Sequence, residues 1–278
     1  MARTVKDIID MKKAGKKISV LTSYDYALAS LCDAAGVDIL LVGDSVGMVV
    51  LGYENTLPVT MEQMEIFVSA VARAKQNSLV VGDLPFMSYQ ASIKDAVSNS
   101  GRLIKAGADA VKLEGGQAMA DTVSAIVEIG IPVMGHIGFQ PQTTALSQGY
   151  KVQGRTAEAA AQLIDDAKAL EDAGVFSIAL EMVSHEVAKI ISESISVPTI
   201  GIGSGLHCDG QVLVIHDVLG LYEKLKPKFA RQYLSLSDEI VMAVKNYKSD
   251  VSSGKFPEEE NWFLMEEGEY EKLKKKIS

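Results

Sequence analysis

Cysteine, basic surplus and long apolar runs are what this 278-residue chain has least of. Its two cysteines are Cys32, in an apolar helix-like stretch, and Cys208, in a glycine-rich loop. They suggest neither a disulfide framework nor a zinc site, and they fit a reducing compartment. Lysine and arginine number 27 against 36 aspartates and glutamates, a formal charge of -9, which argues against the broad basic face that nucleic acid or an anionic membrane would need. No stretch approaches the roughly 18 apolar residues of a membrane span, and Met1 to Lys17 has no apolar signal-peptide core. No G-x-G-x-x-G follows the first apolar run, and the four histidines lack H-E-x-x-H spacing. Gly201-Ile202-Gly203-Ser204-Gly205 lacks the G-K-[ST] ending of a nucleotide loop, which leaves at most a generic anion site. The expectation is a soluble, cytoplasmic protein acting on small molecules, with a hydrophobic content of 47% that supports a sizeable core.

What the chain does have is alternation. Short β-branched runs exchange with stretches of helical period, which predicts parallel strands joined by crossover helices. Eight runs are countable: Ile18 to Thr22, Ile39 to Val42, Leu79 to Val81, Ala110 to Leu113, Pro132 to Met134, Phe176 to Leu180, Pro198 to Ile202 and Val212 to Ile215. Helices are predicted over Met61 to Lys75 with a Thr60/Gln63 capping box, Ile93 to Ala106, Ala118 to Ile129 and Ala157 to Ala173. Ala35-Gly36-Val37-Asp38, Ala106-Gly107-Ala108-Asp109 and Ala173-Gly174-Val175 repeat one helix-to-strand junction. The reading is an α/β fold, a (β/α)8 barrel in a single domain over 1–278, with a C-terminal helical extension from about residue 220 that includes helices at Asp238 to Tyr247 and Glu269 to Lys276.

Four of the runs end on a carboxylate, at Asp44, Asp83, Glu114 and Glu181. In such barrels ligands and catalytic groups gather at the carboxyl ends of the strands, so these acids are expected at one mouth with Lys112 and His136. Carboxylates meeting there repel one another unless a cation lies between them, and hard oxygen donors suit magnesium. Each acid taken alone could instead cap the following helix. Lys112 and Glu114, two apart on one strand, share a face. There the lysine could bind an anion, act as a base, form a Schiff base or simply pair with Glu114; an anion-binding role is favoured. His136 reads as a metal ligand, a donor to substrate or a satisfied core histidine. Apolar neighbours suit Glu181 to the work of a general base. The stretch from Phe139 to Arg155 is long enough to form a lid or shape a pocket. Together these groups point to metal-assisted proton abstraction beside a carbonyl, with a 2-oxo acid as substrate.

Asp44-Ser45-Val46-Gly47, Gly82-Asp83-Leu84-Pro85-Phe86, Val111-Lys112-Leu113-Glu114-Gly115-Gly116, Gly135-His136-Ile137-Gly138 and Asp209-Gly210-Gln211-Val212-Leu213 resemble the ketopantoate hydroxymethyltransferase family. The likeness runs from Thr22-Ser23-Tyr24-Asp25 through His216-Asp217. It implies Mg2+ or another divalent cation held by Asp44 and Asp83, with Glu114 in or beside the coordination shell. It further implies a 2-oxo acid contacted by Asp44, Ser45, Asp83 and Lys112, support from His136, and Glu181 as proton acceptor. The implied reaction joins 3-methyl-2-oxobutanoate to the one-carbon unit of 5,10-methylenetetrahydrofolate, giving 2-dehydropantoate in the cytoplasmic route to pantothenate, in a homo-oligomer that is commonly a decamer. Phe139-Gln140 stands where leucine and threonine are usual in the family, and Ser204 where alanine is usual; both departures are expected to touch the folate side.

Two other readings compete. A metal-dependent lyase or mutase of the phosphoenolpyruvate and isocitrate lyase type shares the barrel and the enolate logic, but it usually places a nucleophilic or acid-base cysteine in a mouth loop; Cys32 is predicted helical and Cys208 comes after the seventh strand, which disfavours that reading. A non-catalytic barrel that only binds an oxo acid would not need both Lys112 and Glu181.

Overall fold

The computed structural model describes residues 2–143, 151–222, 224 and 226–278. Eight strands form its centre: β1 (Ile18–Thr22), β2 (Ile39–Val42), β3 (Leu79–Asp83), β4 (Ala110–Glu114), β5 (Val133–Gly138), β6 (Ser177–Glu181), β7 (Thr199–Ile202) and β8 (Gly210–Leu213). All pair in parallel and in chain order, and β8 closes on β1. The described helices are α1 (Val5–Lys13), α2 (Tyr26–Ala34), α3 (Val46–Val49), α4 (Met61–Ala74), α5 (Ile93–Lys105), α6 (Ala120–Glu128), α7 (Ala157–Asp172), α8 (His185–Ser194), α9 (Ile215–Leu219), α10 (Leu236–Ser253) and α11 (Glu269–Ile277). The architecture is the (β/α)8 barrel that the alternation predicts.

Helix starts follow their capping residues. The Thr60 hydroxyl accepts from Gln63 N–H while the Gln63 side chain accepts from Thr60 N–H, closing the capping box; Ser92 and Thr156 cap α5 and α7. Two strands differ most from expectation. β5 runs on to Gly138 instead of stopping at Met134, because its ladder with β6 continues to the Gly138–Glu181 pair. β8 begins at Gly210, where a Cβ would lie 2.5 Å from the Ile18 carbonyl oxygen, and ends at Leu213; Ile215 N–H turns to the Thr22 hydroxyl and opens α9. The helix expected at Asp238 to Tyr247 extends over the whole of α10.

Period-2 alternation sorts the strand residues into two apolar groups. Leu40, Val42, Val80, Val111, Leu113, Ile178 and Leu180 pack outward with the helices. Ile39, Leu41, Leu79, Val81, Ala110 and Met134 fill the barrel interior, where Ile8 of α1 joins them. The inward series then changes character toward the strand ends: two residues after Val81 comes Asp83, after Ala110 come Lys112 and Glu114, and after Met134 comes His136. An apolar lower barrel thus supports a polar upper one. Beyond the barrel, α10 buries none of its residues, and its Ile240, Val241, Met242, Val244 and Tyr247 are exposed. Among the described residues no helix is long and apolar enough to cross a membrane.

Candidate active site

A cavity of about 160 Å³ opens at the carboxyl ends of the strands, and Asp44, Ser45, Asp83, Lys112, Glu114, His136 and Glu181 all line it. Every site residue read from the sequence therefore reaches one space. Sheet register sets the pairs. Asp83 on β3 neighbours Lys112 on β4, and Glu114 neighbours His136 on β5. Lys112 Nζ lies 2.7 Å from Asp83 Oδ1, so the lysine pairs across the sheet and not with Glu114. Asp44 caps no helix: its Oδ2 accepts from Gln142 Nε2 at 2.9 Å, and its own N–H donates to Asp83 Oδ2 at 3.1 Å.

Burial dominates the electrostatics. It pushes the carboxyls of Asp44, Asp83 and Glu114 upward, against the opposing field of Lys112. Burial also pulls on the Lys112 ammonium, but Asp83, Asp44 and Glu114 together outweigh it and hold the group above an ordinary lysine. The His136 imidazole is lowered by burial and by Lys112, so it is neutral. Its Nδ1 faces Lys112 Nζ at 3.4 Å, and an ammonium can only donate, so Nδ1 carries the lone pair and Nε2 the proton. That Nε2 lies 3.2 Å from Glu181 Oε2 but off the line of a hydrogen bond, so the contact is a charge–dipole one.

Glu181 ends β6 with 17% of its side chain exposed. The chain turns sharply behind it: Met182 has φ +49, and Glu181 O accepts from Phe139 N–H at 2.7 Å. The Ser204 hydroxyl donates to Leu180 O at 2.7 Å and accepts from Val183 N–H at 3.0 Å, clasping both sides of the turn. The departure at Ser204 thus bears on the backbone of Glu181. Phe139 is fully buried and does not line the cavity. Of the expected lid, residues 144–150 lie outside the described residues.

Three polar residues were missed from the sequence. Gln142, 1% exposed, gives its side-chain amide to Asp44 and to Leu84 O, and its backbone N–H donates to Glu114 Oε2 at 3.1 Å. The Tyr89 hydroxyl bonds to Gln142 Oε1 at 2.9 Å and accepts from Glu114 N–H, and the Tyr24 hydroxyl lies 2.8 Å from Ser45 Oγ. The only hint was Pro141-Gln142 in a loop already assigned to the pocket.

A divalent cation fits this donor set. Three buried carboxylates face one buried ammonium, an excess of negative charge that a cation would balance. Among the described residues no three His, Cys, Asp or Glu side chains stand close enough to enclose an ion. The adjacent pair Asp44 and Asp83, completed by water and substrate oxygens, is the arrangement magnesium favours.

Fold and site define a (β/α)8-barrel enzyme with a carboxylate-rich mouth and an inward lysine. The model of the family described as ketopantoate hydroxymethyltransferase matches residues 2–259, and the chain belongs to that family. It is 69% identical to a 3-methyl-2-oxobutanoate hydroxymethyltransferase of Nitrosopumilus maritimus (strain SCM1), over 100% of this chain and 99% of that protein. It is 60% identical to the enzyme of that name from Cenarchaeum symbiosum (strain A), over 94% and 99%. Among solved structures, a phosphoenolpyruvate phosphomutase from Streptomyces platensis subsp. rosaceus superposes with TM-score 0.61 at 12% identity, covering 91% of this chain and 88% of that one. A 2,3-dimethylmalate lyase of the PEP mutase/isocitrate lyase superfamily gives 0.57 at 14%, over 100% and 99%. These last two share the fold; the lyase or mutase alternative has no closer support.

Proposed function

We propose that this chain transfers a hydroxymethyl group from 5,10-methylenetetrahydrofolate to 3-methyl-2-oxobutanoate, giving 2-dehydropantoate for pantothenate synthesis. The observation that carries the reading is one cavity holding the Asp44/Asp83 pair, the Lys112 ammonium and Glu181. Asp44 and Asp83 would hold a divalent cation, Mg2+ first among candidates, with Glu114, tied to Gln142 N–H, as a neighbouring donor. When bound, the cation supplies Lewis-acid polarisation of the 2-oxo group. Lys112, fixed by Asp83, offsets the substrate carboxylate, and Ser45 contacts the same acid. Glu181 takes the C3 proton, with the His136 N–H beside its carboxylate. The resulting carbanion takes up the one-carbon unit, water supplies the hydroxyl oxygen, and tetrahydrofolate leaves. A cytoplasmic homo-oligomer, with a decamer the count the family implies, is part of this reading; the uncovered apolar face of α10 supports subunit packing.

Product analysis with both substrates and Mg2+ tests it. Formation of 2-dehydropantoate is expected, and Glu181→Gln is expected to abolish exchange of the C3 proton with solvent deuterium. Exchange by the variant at the wild-type rate would remove Glu181 from the role of base.

A further inference from the structure

The cavity has two unlike ends. One holds the charged groups described above, which suffice for a small 2-oxo acid. The other is apolar, built by Met48 and Val49 of α3 and by Val214, Tyr222, Pro227 and Phe229 from the chain after β8. One carboxylate stands at that end. Asp217, in the first turn of α9, lines the cavity half-buried, and its side chain makes no hydrogen bond or ion pair with any described residue.

A half-buried carboxylate without a donor is costly, since it loses water and gains nothing in return. Desolvation alone pushes Asp217 up to about 6. Its place in α9 does not account for it: the side chain accepts from none of the helix N–H groups, and the Asp217 backbone is satisfied separately by Val214 O and Gly220 N–H. The cation does not account for it either: Asp44 and Asp83 stand at the ends of β2 and β3 while Asp217 follows β8, and among the described residues no three His, Cys, Asp or Glu side chains stand close enough to enclose an ion. What would satisfy it is a ligand bringing a pair of parallel N–H donors on a flat, otherwise apolar body. Met48, Tyr222 and Phe229, which line the same cavity, offer such a body apolar surface to lie against.

We propose that Asp217 is the recognition residue for the aminopyrimidinone edge of the folate donor, its two oxygens accepting the exocyclic amino and ring N–H groups in a fork. The proposal rests on the folate-dependent reading of the site and adds the subsite that holds the donor. A carboxylate matches that edge as it matches a guanidinium, by two parallel charge-assisted bonds. An amide in its place keeps one acceptor and turns a donor against a donor.

The test uses full-length protein with Mg2+ and compares wild type, Asp217→Asn and Asp217→Glu in two assays. One measures steady-state formation of 2-dehydropantoate as a function of methylenetetrahydrofolate; the other measures deuterium exchange at C3 of 3-methyl-2-oxobutanoate without folate. Asp217→Asn is expected to raise KM for the folate by at least ~10-fold, with Asp217→Glu recovering part of the loss. Exchange and KM for the oxo acid are expected to stay at wild-type values in both variants, which also reports that the barrel is intact. An unchanged folate KM would overturn the subsite. So would a parallel fall in exchange, which would make Asp217 a support of the mouth. Failure of the wild type to make 2-dehydropantoate while still exchanging the proton would instead overturn the folate reading itself, and the subsite with it.

Discussion

Lys112 Nζ stands 2.7 Å from Asp83 Oδ1, and the sheet register places the two residues side by side. This pair leaves Asp44 and Glu114 in the same buried cluster without a counter-charge of their own. Replacing Lys112 by Met removes the only ammonium lining the cavity among the described residues and strands Asp83. The expected cost in the metal-free protein is ~3–5 kcal/mol, read from urea unfolding midpoints, with much of it restored by millimolar Mg2+. A variant as stable as wild type without metal would show that the carboxylates are protonated and need no partner.

The same excess of negative charge fixes a pH dependence. Burial raises the folded-state values of Asp44, Asp83 and Glu114 above the ordinary carboxylate range near ~4. From that range upward the folded state binds more protons than the unfolded one, so unfolding free energy falls as pH rises. Protein treated with EDTA is therefore expected to melt at a lower temperature at pH 8 than at pH 5.5. Added Mg2+ should raise the melting temperature more at pH 8 than at pH 5.5. Equal responses at the two pH values would mean the cation does not compete with protons on these acids.

Ser204 offers a local test of how the base is held. Its hydroxyl satisfies Val183 N–H and Leu180 O on either side of Glu181, in a residue 1% exposed. Ser204→Ala removes the acceptor of Val183 N–H and a donor to Leu180 O and is expected to cost ~1–3 kcal/mol of stability. The exchange rate should fall while KM for the oxo acid holds, and Ser204→Thr should rescue it. An unchanged rate would reduce Ser204 to a packing residue.

Close approach behind the same glutamate makes Gly138 irreplaceable. A Cβ there would meet Glu181 O at 2.2 Å, backbone that cannot step aside, at φ +98. Gly130 has a similar φ of +89 with nothing within 4 Å. Gly130→Ala is expected to lose only the ~1–2 kcal/mol of left-handed strain. Gly138→Ala should lose at least ~3 kcal/mol and with it proton exchange. Equal midpoints for the two variants would show that the turn at Met182 yields.

What the sequence disclosed is what period 2 and short range control. Asp83, Lys112, Glu114 and His136 all follow interior apolar residues at even spacing, so their shared direction is written locally. Gln142 and Tyr89 resist such reading, because their partners, Asp44 and Glu114, come from strands up to 98 positions away and only barrel closure joins them. The start of β8 was misplaced for a related reason. Gly210 reads as a turn residue, and only contact with Ile18 shows why the strand needs a glycine there. Asp217 is visible as a letter but acquires meaning only when the chain after β8 folds over the mouth.

His136 supplies the last prediction. Its Nε2 carries the proton beside Glu181 because Lys112 occupies the Nδ1 lone pair, and burial with Lys112 keeps the ring neutral. A ring whose protonation is shifted below the ordinary histidine value of ~6.5 contributes no inflection there to the rate of C3 exchange. His136→Leu removes the N–H beside the base and is expected to slow exchange by ~10²-fold. It should do so evenly with pH, giving a profile parallel to wild type. An inflection near ~6.5 in the wild-type profile that disappears in His136→Leu would show a titrating imidazole and reverse the tautomer assignment. A slowed but parallel profile leaves the neutral ring as a fixed dipole, its proton set on Nε2 by Lys112, beside the carboxylate that acts as base.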